Sequence, residues 1–257
     1  MTPPRGCLIL VPNTLDFGVA QGVAPPDIRD VLPLGVIRVA AGLGHWVAEN
    51  AKTTRAFLKR VDAVQPLRLA LQEVQITELP RPRKGSAQAP AADWPALLAP
   101  ALLGHDIGLI SEAGLPAVAD PGAALVAAAH ASGLRVQALP GPSALLLALA
   151  ESGLHGQSFA FVGYLPVEAG QRAARIRELE SLSRRAGQTQ LMIETPYRNA
   201  ALLAALLAQL QPSTRLAVSC GLTLPGAITR SALVQAWRAD PLSLPADVPA
   251  VFSLLAA

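Results

Sequence analysis

The stretch that most constrains this chain runs from Ile107 to Gly153, IGLISEAGLPAVADPGAALVAAAHASGLRVQALPGPSALLLALAESG. A short apolar run over residues 107–110 stops at Ser-Glu-Ala-Gly, a helix-like segment begins at Asp120, and a second apolar run over 134–139 stops at Pro-Gly-Pro-Ser. Strand, loop, helix, strand, loop, helix is the order of a parallel α/β sheet. Both loops fall where a strand ends and a helix begins, and open α/β sheets bind ligands in the crevice beyond the strand carboxyl ends. Gly114, Gly122 and Gly141 permit close backbone approach, while Pro116, Pro121, Pro140 and Pro142 stiffen the path. Either loop alone reads as turn punctuation. Two in succession point to a shared site.

In this order, SEAGLPAVADPG, LPGPSALLLALAESG, FAFVGYLP and ETPYRN resemble segments of the tetrapyrrole methylase superfamily, in particular its ribosomal RNA small-subunit methyltransferase I branch. The likeness runs from about Asp106 to the C-terminus. Upstream, LILVPNTLD resembles the family's opening strand and loop, and VAENAKTTRAFLKRV its Ala-Glu-Asp-Thr-Arg segment, with Asn50 where an Asp is usual. The family's first loop commonly carries glycine, which here appears only at Gly18 and Gly22.

The resemblance implies an α/β fold of two consecutive domains with mixed sheets, S-adenosylmethionine folded in a cleft between them, and a homodimer. Helix-stopping Gly153 sets the expected boundary, giving domains 1–153 and 154–257. Carried onto this sequence, cofactor binding falls to Pro12, Ser111, Glu112, Ala113, Gly114, Pro116, Asp120, Pro140, Gly141, Pro142, Ser143, Ala144, Tyr164, Glu194, Leu224 and Pro249. Substrate binding falls to Asn50, Arg55, Tyr197 and Arg198. The implied partner is ribosomal RNA or the small ribosomal subunit.

Composition bounds the rest. The 257 residues, 51% hydrophobic and 15% charged, exclude a disordered chain and suffice for two cores. The longest purely apolar run, residues 200–208, is far short of the roughly 20 needed to span a membrane. The opening MTPPRGCLILVPN is too short in its apolar part for a secretory signal, so a cytoplasmic location is expected. Cys7 and Cys220 read as buried thiols. His45, His105, His130 and His155 lack ligand spacing, and no metal is expected. A net charge of +3 permits an RNA partner without arguing for one.

Residues 7–11, 45–49, 67–79, 159–162, 190–194, 215–220 and 248–255 read as further strands. Helices are expected at 27–34, 54–61 (capped by Thr53), 96–103, 120–132, 143–152, 168–185 and 199–210. In helix 168–185 the arginines suit pairs such as Arg175 with Glu178 and Arg177 with Glu180; an RNA-facing stripe is the other reading. The segment 80–95 reads as a mobile loop whose Arg81, Arg83 and Lys84 are solvated charges or phosphate contacts. Glu49 and Arg55 read as a solvated strand end and surface charge, or as cleft residues given the resemblance. Glu194 and Arg198 read as a structural pair or as cleft residues.

Since a sulfonium is already an activated methyl donor, the protein's share would be to align donor and acceptor and exclude water. A ribose 2′-hydroxyl acceptor must also lose a proton. Glu49, Glu112 and Glu194 end motif strands, and burial would raise their basicity; Glu49 ranks first as the base. Three functions stay open at this point: RNA ribose methylation, methylation of a tetrapyrrole or other small molecule, and a catalytically inactive cofactor-binding or regulatory protein.

Overall fold

A computed structural model describes residues 4–16, 26–80 and 93–257 of the chain. The basic cluster Arg81, Arg83 and Lys84 lies outside the described residues, as do Gly18 and Gly22. In chain order the first elements are β1 (Cys7–Leu10), α1 (Leu34–Gly42), β2 (His45–Ala48), α2 (Ala51–Asp62), β3 (Gln75–Glu78), α3 (Trp94–Leu102), β4 (Ile107–Ile110), α4 (Ala123–Ala131) and β5 (Arg135–Ala138). There follow α5 (Ala144–Ser152), β6 (Phe159–Tyr164), α6 (Ala169–Ala186), β7 (Thr189–Glu194), α7 (Asn199–Gln209), β8 (Arg215–Cys220), β9 (Ile228–Leu233), α8 (Val234–Ala239) and β10 (Ala250–Leu255).

The chain divides into two compact units, with the break between Pro142 and Ser143. That break precedes the boundary expected at Gly153. Gly153 does end α5, in the left-handed conformation at φ 63°, but α5 packs against β8, β9 and β10 and so belongs with the second sheet.

The first sheet has the order β3-β2-β4-β1-β5 and every pairing in it is parallel. The mixed character expected of both sheets is therefore confined to the second. Alternation along these short strands serves two layers at once, because neighbouring side chains point to opposite faces. Ile9, Trp46, Ala48 and Ile110 join α1 and α2 residues such as Ile37, Phe57 and Leu58 in one core. Leu8, Val47 and Leu109 join Leu98 of α3 and Leu125 of α4 in another. Parallel strands covered on both faces read as short unbroken apolar runs, which is how β1 and β4 looked in sequence.

The second sheet has the order β6-β7-β10-β8-β9, parallel between β6 and β7 and antiparallel elsewhere. Its core gathers Ile176 and Leu179 of α6, Leu202 and Leu206 of α7 and Trp237 of α8 on Met192, Val218 and Phe252. Cys7 and Cys220 are both buried free thiols, and burial raises the pKa of each.

Several local expectations change. Of residues 67–79 only Gln75–Glu78 is strand; Leu67, Leu69 and Leu71 instead pack on the first core from an irregular segment. Residues 27–34 give one 3-10 turn, Ile28–Asp30, and Pro33 starts α1 rather than ending a helix. Helix α2 begins at Ala51, and the side chain capping it is that of Asn50, which accepts from the amides of Lys52 and Thr53. Strand β9 and helix α8 were not anticipated, because ITRSAL is an edge strand with polar residues at its centre. No helix among the described residues is long and apolar enough to cross a membrane.

On α6, Arg175 pairs with Glu178 at 2.7 Å as expected. The expected Arg177–Glu180 pair does not form. Arg177 donates to Gln209 Oε1, while Glu180 is buried and accepts from the Gln211 amide at 2.7 Å and the Thr214 hydroxyl at 2.5 Å. Glu180→Ala leaves both donors without a partner and should lower unfolding stability by about 2–4 kcal/mol. Arg177→Ala, at an exposed bond, should change it by no more than about 0.5 kcal/mol. Urea unfolding of the two variants checks the contrast.

Candidate functional site

Because all five strands of the first sheet run the same way, the segments after β1, β2, β4 and β5 emerge along one edge. The order places β1 between β4 and β5, so the Ser111–Pro116 and Pro140–Pro142 loops flank the segment Val11–Asn13. Asn13 joins these parts. Its buried side-chain amide donates to the carbonyls of Ser111 (3.2 Å) and Glu112 (3.0 Å), and its backbone amide donates to Gly114 O (2.9 Å). On the other flank Leu139 N donates to Leu10 O at 3.0 Å. Gly141 faces Pro12 so closely that a Cβ on it would lie 2.3 Å from Pro12 Cβ. A Cβ on Gly114 would be 3.6 Å from Pro142 O. The two loops singled out in sequence thus meet across the end of β1.

Three carboxylates collect at this edge. Glu49, at the end of β2, accepts from the Glu112 amide at 3.2 Å. Glu112 Oε1 takes a long contact from the Thr53 hydroxyl, 3.5 Å. Asp120 has its pKa pushed up to about 6, by burial first and then by the charges of Glu49 and Glu112, against a lowering hydrogen bond from Ser111. The sequence reading had assigned Asp120 to cofactor binding rather than to the base. Among the described residues no group of three His, Cys, Asp or Glu side chains is placed to hold a metal ion.

The intervening loop is held in unusual backbone. Ala117 and Ala119 have φ of 66° and 65°, a left-handed conformation that costs a non-glycine residue on the order of 1 kcal/mol. Pro116 before them is buried. Helix α4 then starts at Gly122, and α5 at Ser143, each without a side-chain cap on its first-turn amides. Asn50 is half-buried and committed to capping α2, and Arg55 is exposed, its guanidinium 3.5 Å from Ala51 O. Ala113 and Ala144 are half-buried, and Pro140 is exposed.

The remaining sequence-predicted residues belong to the second unit. Glu194 is buried at the end of β7 and is held by Arg198 Nη2 at 2.5 Å and by the Thr195 amide at 2.8 Å. The structural Glu–Arg pair is thus formed. Tyr197 beside it is 73% exposed and Tyr164 is 58% exposed. Leu224 and Pro249 sit at one turn, where Gly221 N donates to Pro249 O (3.0 Å) and Leu224 N to Gly221 O (2.9 Å). Sequence reasoning missed Asn13, Thr14, Asp16 and Arg60. Arg60 reaches Asp16 at 2.8 Å, the Thr14 hydroxyl at 3.1 Å and Pro26 O at 3.0 Å. A polar cluster Asn-Thr directly after an apolar strand was the available signal.

The family model for Tetrapyrrole (Corrin/Porphyrin) Methylases matches residues 36–235. The chain belongs to this family. Relatives of this chain include three proteins each named ribosomal RNA small subunit methyltransferase I. The one from Mesorhizobium japonicum is 41% identical over 129 residues, 50% of this chain and 42% of its own length. That from Xylella fastidiosa is 42% identical over 115 residues, 45% of this chain and 40% of its own. That from Vibrio cholerae is 40% identical over 97 residues, 38% and 32% respectively. The matched segments therefore span less than half of those relatives. The fold of this chain is similar to that of uroporphyrin-III-C-methyltransferase from Thermus thermophilus, with TM-score 0.50 and 20% identity over 98% of this chain and 92% of that one.

Two outcomes follow from the geometry of this edge. Gly141→Ala must push Pro12 and the β5 loop apart, which should cost about 1–3 kcal/mol, whereas Gly156→Ala, with open space around it, should leave the thermal midpoint unchanged. For Asp120, the folded pKa of about 6 lies above the ordinary 3.8, so the folded state holds this proton more tightly. Its contribution is full below about pH 4 and is lost as pH rises through 6. Asp120→Asn should therefore raise stability at pH 8, by roughly 1 kcal/mol after solvent screening of a partly exposed group, and leave it unchanged near pH 4. Melting curves at the two pH values decide this.

Proposed function

We propose that the chain is an S-adenosylmethionine-dependent methyltransferase that methylates a ribose 2′-hydroxyl of small-subunit ribosomal RNA, acting as a cytoplasmic homodimer. The family membership and the shared name of three relatives at about 40% identity support this reading. The single structural observation behind it is the convergence of the β2, β4 and β5 loops around Asn13.

The residues at this edge fit the cofactor's chemistry. Glu49, Glu112 and Asp120 supply negative charge for a sulfonium and an ammonium group, and the uncapped amides at Gly122 and Ser143 are donors for a carboxylate or ribose hydroxyls. Ser111, Glu112, Ala113, Gly114, Pro116 and Asp120, with Pro12, Pro140, Gly141 and Pro142, would hold it from the first unit. Ser143, Ala144, Tyr164, Glu194, Leu224 and Pro249 are the proposed contributors from the second. When bound, the cofactor supplies an activated methyl group. Glu49 is the group proposed to take the hydroxyl proton: the Glu112 amide fixes one of its oxygens at 3.2 Å, which holds the carboxylate in one orientation. Asn50, Arg55, Tyr197 and Arg198 are the proposed acceptor contacts, with Arg198 reaching an acceptor only by sharing its guanidinium with Glu194.

The test is incubation of the purified protein and methyl-labelled cofactor with small ribosomal subunits from a strain lacking it, followed by mapping of the label. The expected result is label on a ribose of the small-subunit RNA. Glu49→Gln should lower turnover by about 100-fold or more while calorimetry still registers cofactor binding. Label entering only a tetrapyrrole or another small molecule would replace the RNA acceptor. Absence of cofactor binding would remove the enzyme reading altogether.

A further inference from the structure

The first unit carries a second concavity, away from the loops just described. A cavity of about 370 Å³ opens between the end of α1, the start of β2 and the turn leading into β4. It sits at strand beginnings, whereas the site above sits at strand ends. Its charged and titratable lining is Arg38, Arg68, His45, His105 and Asp106.

The geometry points to a binding site for the phosphate of a small phosphate monoester. Two arginines from separate segments line the cavity, and among the described residues neither forms an ion pair; Arg38 makes one long contact, 3.4 Å, to Leu34 O. Guanidiniums match phosphate oxygens in both charge and fork geometry. The two imidazoles stand with ring centroids 5.2 Å apart, tilted by 44°. They add donors on a second wall, and burial together with the nearby His105 and Arg68 lowers the pKa of His45. An incoming anion reverses that repulsion.

The negative features bordering the cavity each carry a hydrogen bond from the backbone. Asp106, the one carboxylate of the lining, accepts the Cys7 amide on Oδ1 at 2.8 Å. At the carbonyl end of α1, Ala40 O accepts from Leu43 N and Ala41 O from Arg68 N, which blunts the negative end of the helix. That second bond also fastens the backbone of Arg68 to the cavity wall. Gly44 completes the cradle: a Cβ there would lie 2.9 Å from Leu69 Cδ1 and 3.5 Å from Arg68 Nη2. Leu69 fills the space a side chain would take, and Arg68 Nη2 stands beside it at ordinary contact distance. A cavity of this volume, within the usual range for small-ligand sites, exceeds what a bare phosphate fills. The remaining room, bounded by Val39 and Leu43, suits the organic part of a monoester.

The test is titration calorimetry of the intact chain at low salt, with inorganic phosphate and with adenosine 5′-monophosphate as probes. Saturable binding of both is expected, tighter for the nucleotide. Arg38→Gln and Arg68→Gln should each weaken it about tenfold or more, as loss of a charged hydrogen bond does, with unchanged melting temperature. Arg184→Ala on α6 should have no effect. Equal affinity for the two probes assigns the site to free phosphate. No saturable binding of either probe at about 10 mM, or equal binding by the parent and the Arg38→Gln/Arg68→Gln double variant, would overturn the proposal.

Discussion

The carboxyl edge of the first sheet depends on one short polar side chain. Asn13 is buried, and its amide occupies two carbonyls of the neighbouring loop, Ser111 and Glu112, while its backbone bonds to Gly114. Buried carbonyls without donors cost about 1–3 kcal/mol each, so these loops have a strong reason to stay where Asn13 puts them. Parallel strand order then does the rest. With β1 between β4 and β5, fixing the end of β1 fixes both flanking loops at once. The absence of glycine from the first loop's opening becomes intelligible here. Close approach is achieved from the opposite side, where Gly141 leaves space for Pro12.

Charge is distributed unevenly over this sheet. Glu49, Glu112 and Asp120 gather at the strand ends, and Arg38, Arg68 and the two imidazoles gather at the strand starts. Sheets have little net dipole of their own, so the separation is written by side chains. It has a stability cost at the acidic edge, since mutual repulsion and burial keep Asp120 protonated to higher pH than usual. The same loop carries left-handed Ala117 and Ala119. Like-charge crowding and backbone strain in a single loop are features that persist where surrounding structure over-determines them, and such places cluster at ligand sites.

Much of this was legible in the sequence, and the failures share a cause. Strands β1, β4 and β8, the helices α6 and α7, and the glycine stop of α5 each carry their signal within a few residues: an apolar run, a 3.6-residue period, a left-handed cap. The loops at Ser111 and Pro140 were legible for the same reason. What escaped depends on partners distant in sequence. Asn13 looked like a turn residue because its partners lie 98 and 99 positions away. Glu180 looked like half of a helix-surface pair, because the donors that bury it come from residues 211 and 214. Helix α5 looked like the close of the first domain, yet its apolar face is matched to β8, β9 and β10, strands that follow it by more than sixty residues.

The engaged arginines bear on how a large polyanion would be held. On α6, Arg175 is tied to Glu178, Arg177 to Gln209, and Arg184 to the backbone carbonyl of Ala257; at β7, Arg198 is tied to buried Glu194. These engagements are not equal. The exposed pair on α6 is worth at most about 1 kcal/mol and exchanges readily for a phosphate. Arg198 is different, because withdrawing it would strand a carboxylate that is 6% exposed, at a cost of several kcal/mol. On the proposed reading, RNA phosphates would therefore be met by the exposed arginines of α6, while Arg198 would contact the acceptor only with its bond to Glu194 kept. Each phosphate so neutralised steepens the salt dependence of binding by a slope of about 0.7 on logarithmic axes. The helix pairs and the RNA-facing stripe, alternatives in sequence for the α6 arginines, are thus compatible, since an exposed pair can give up its partner.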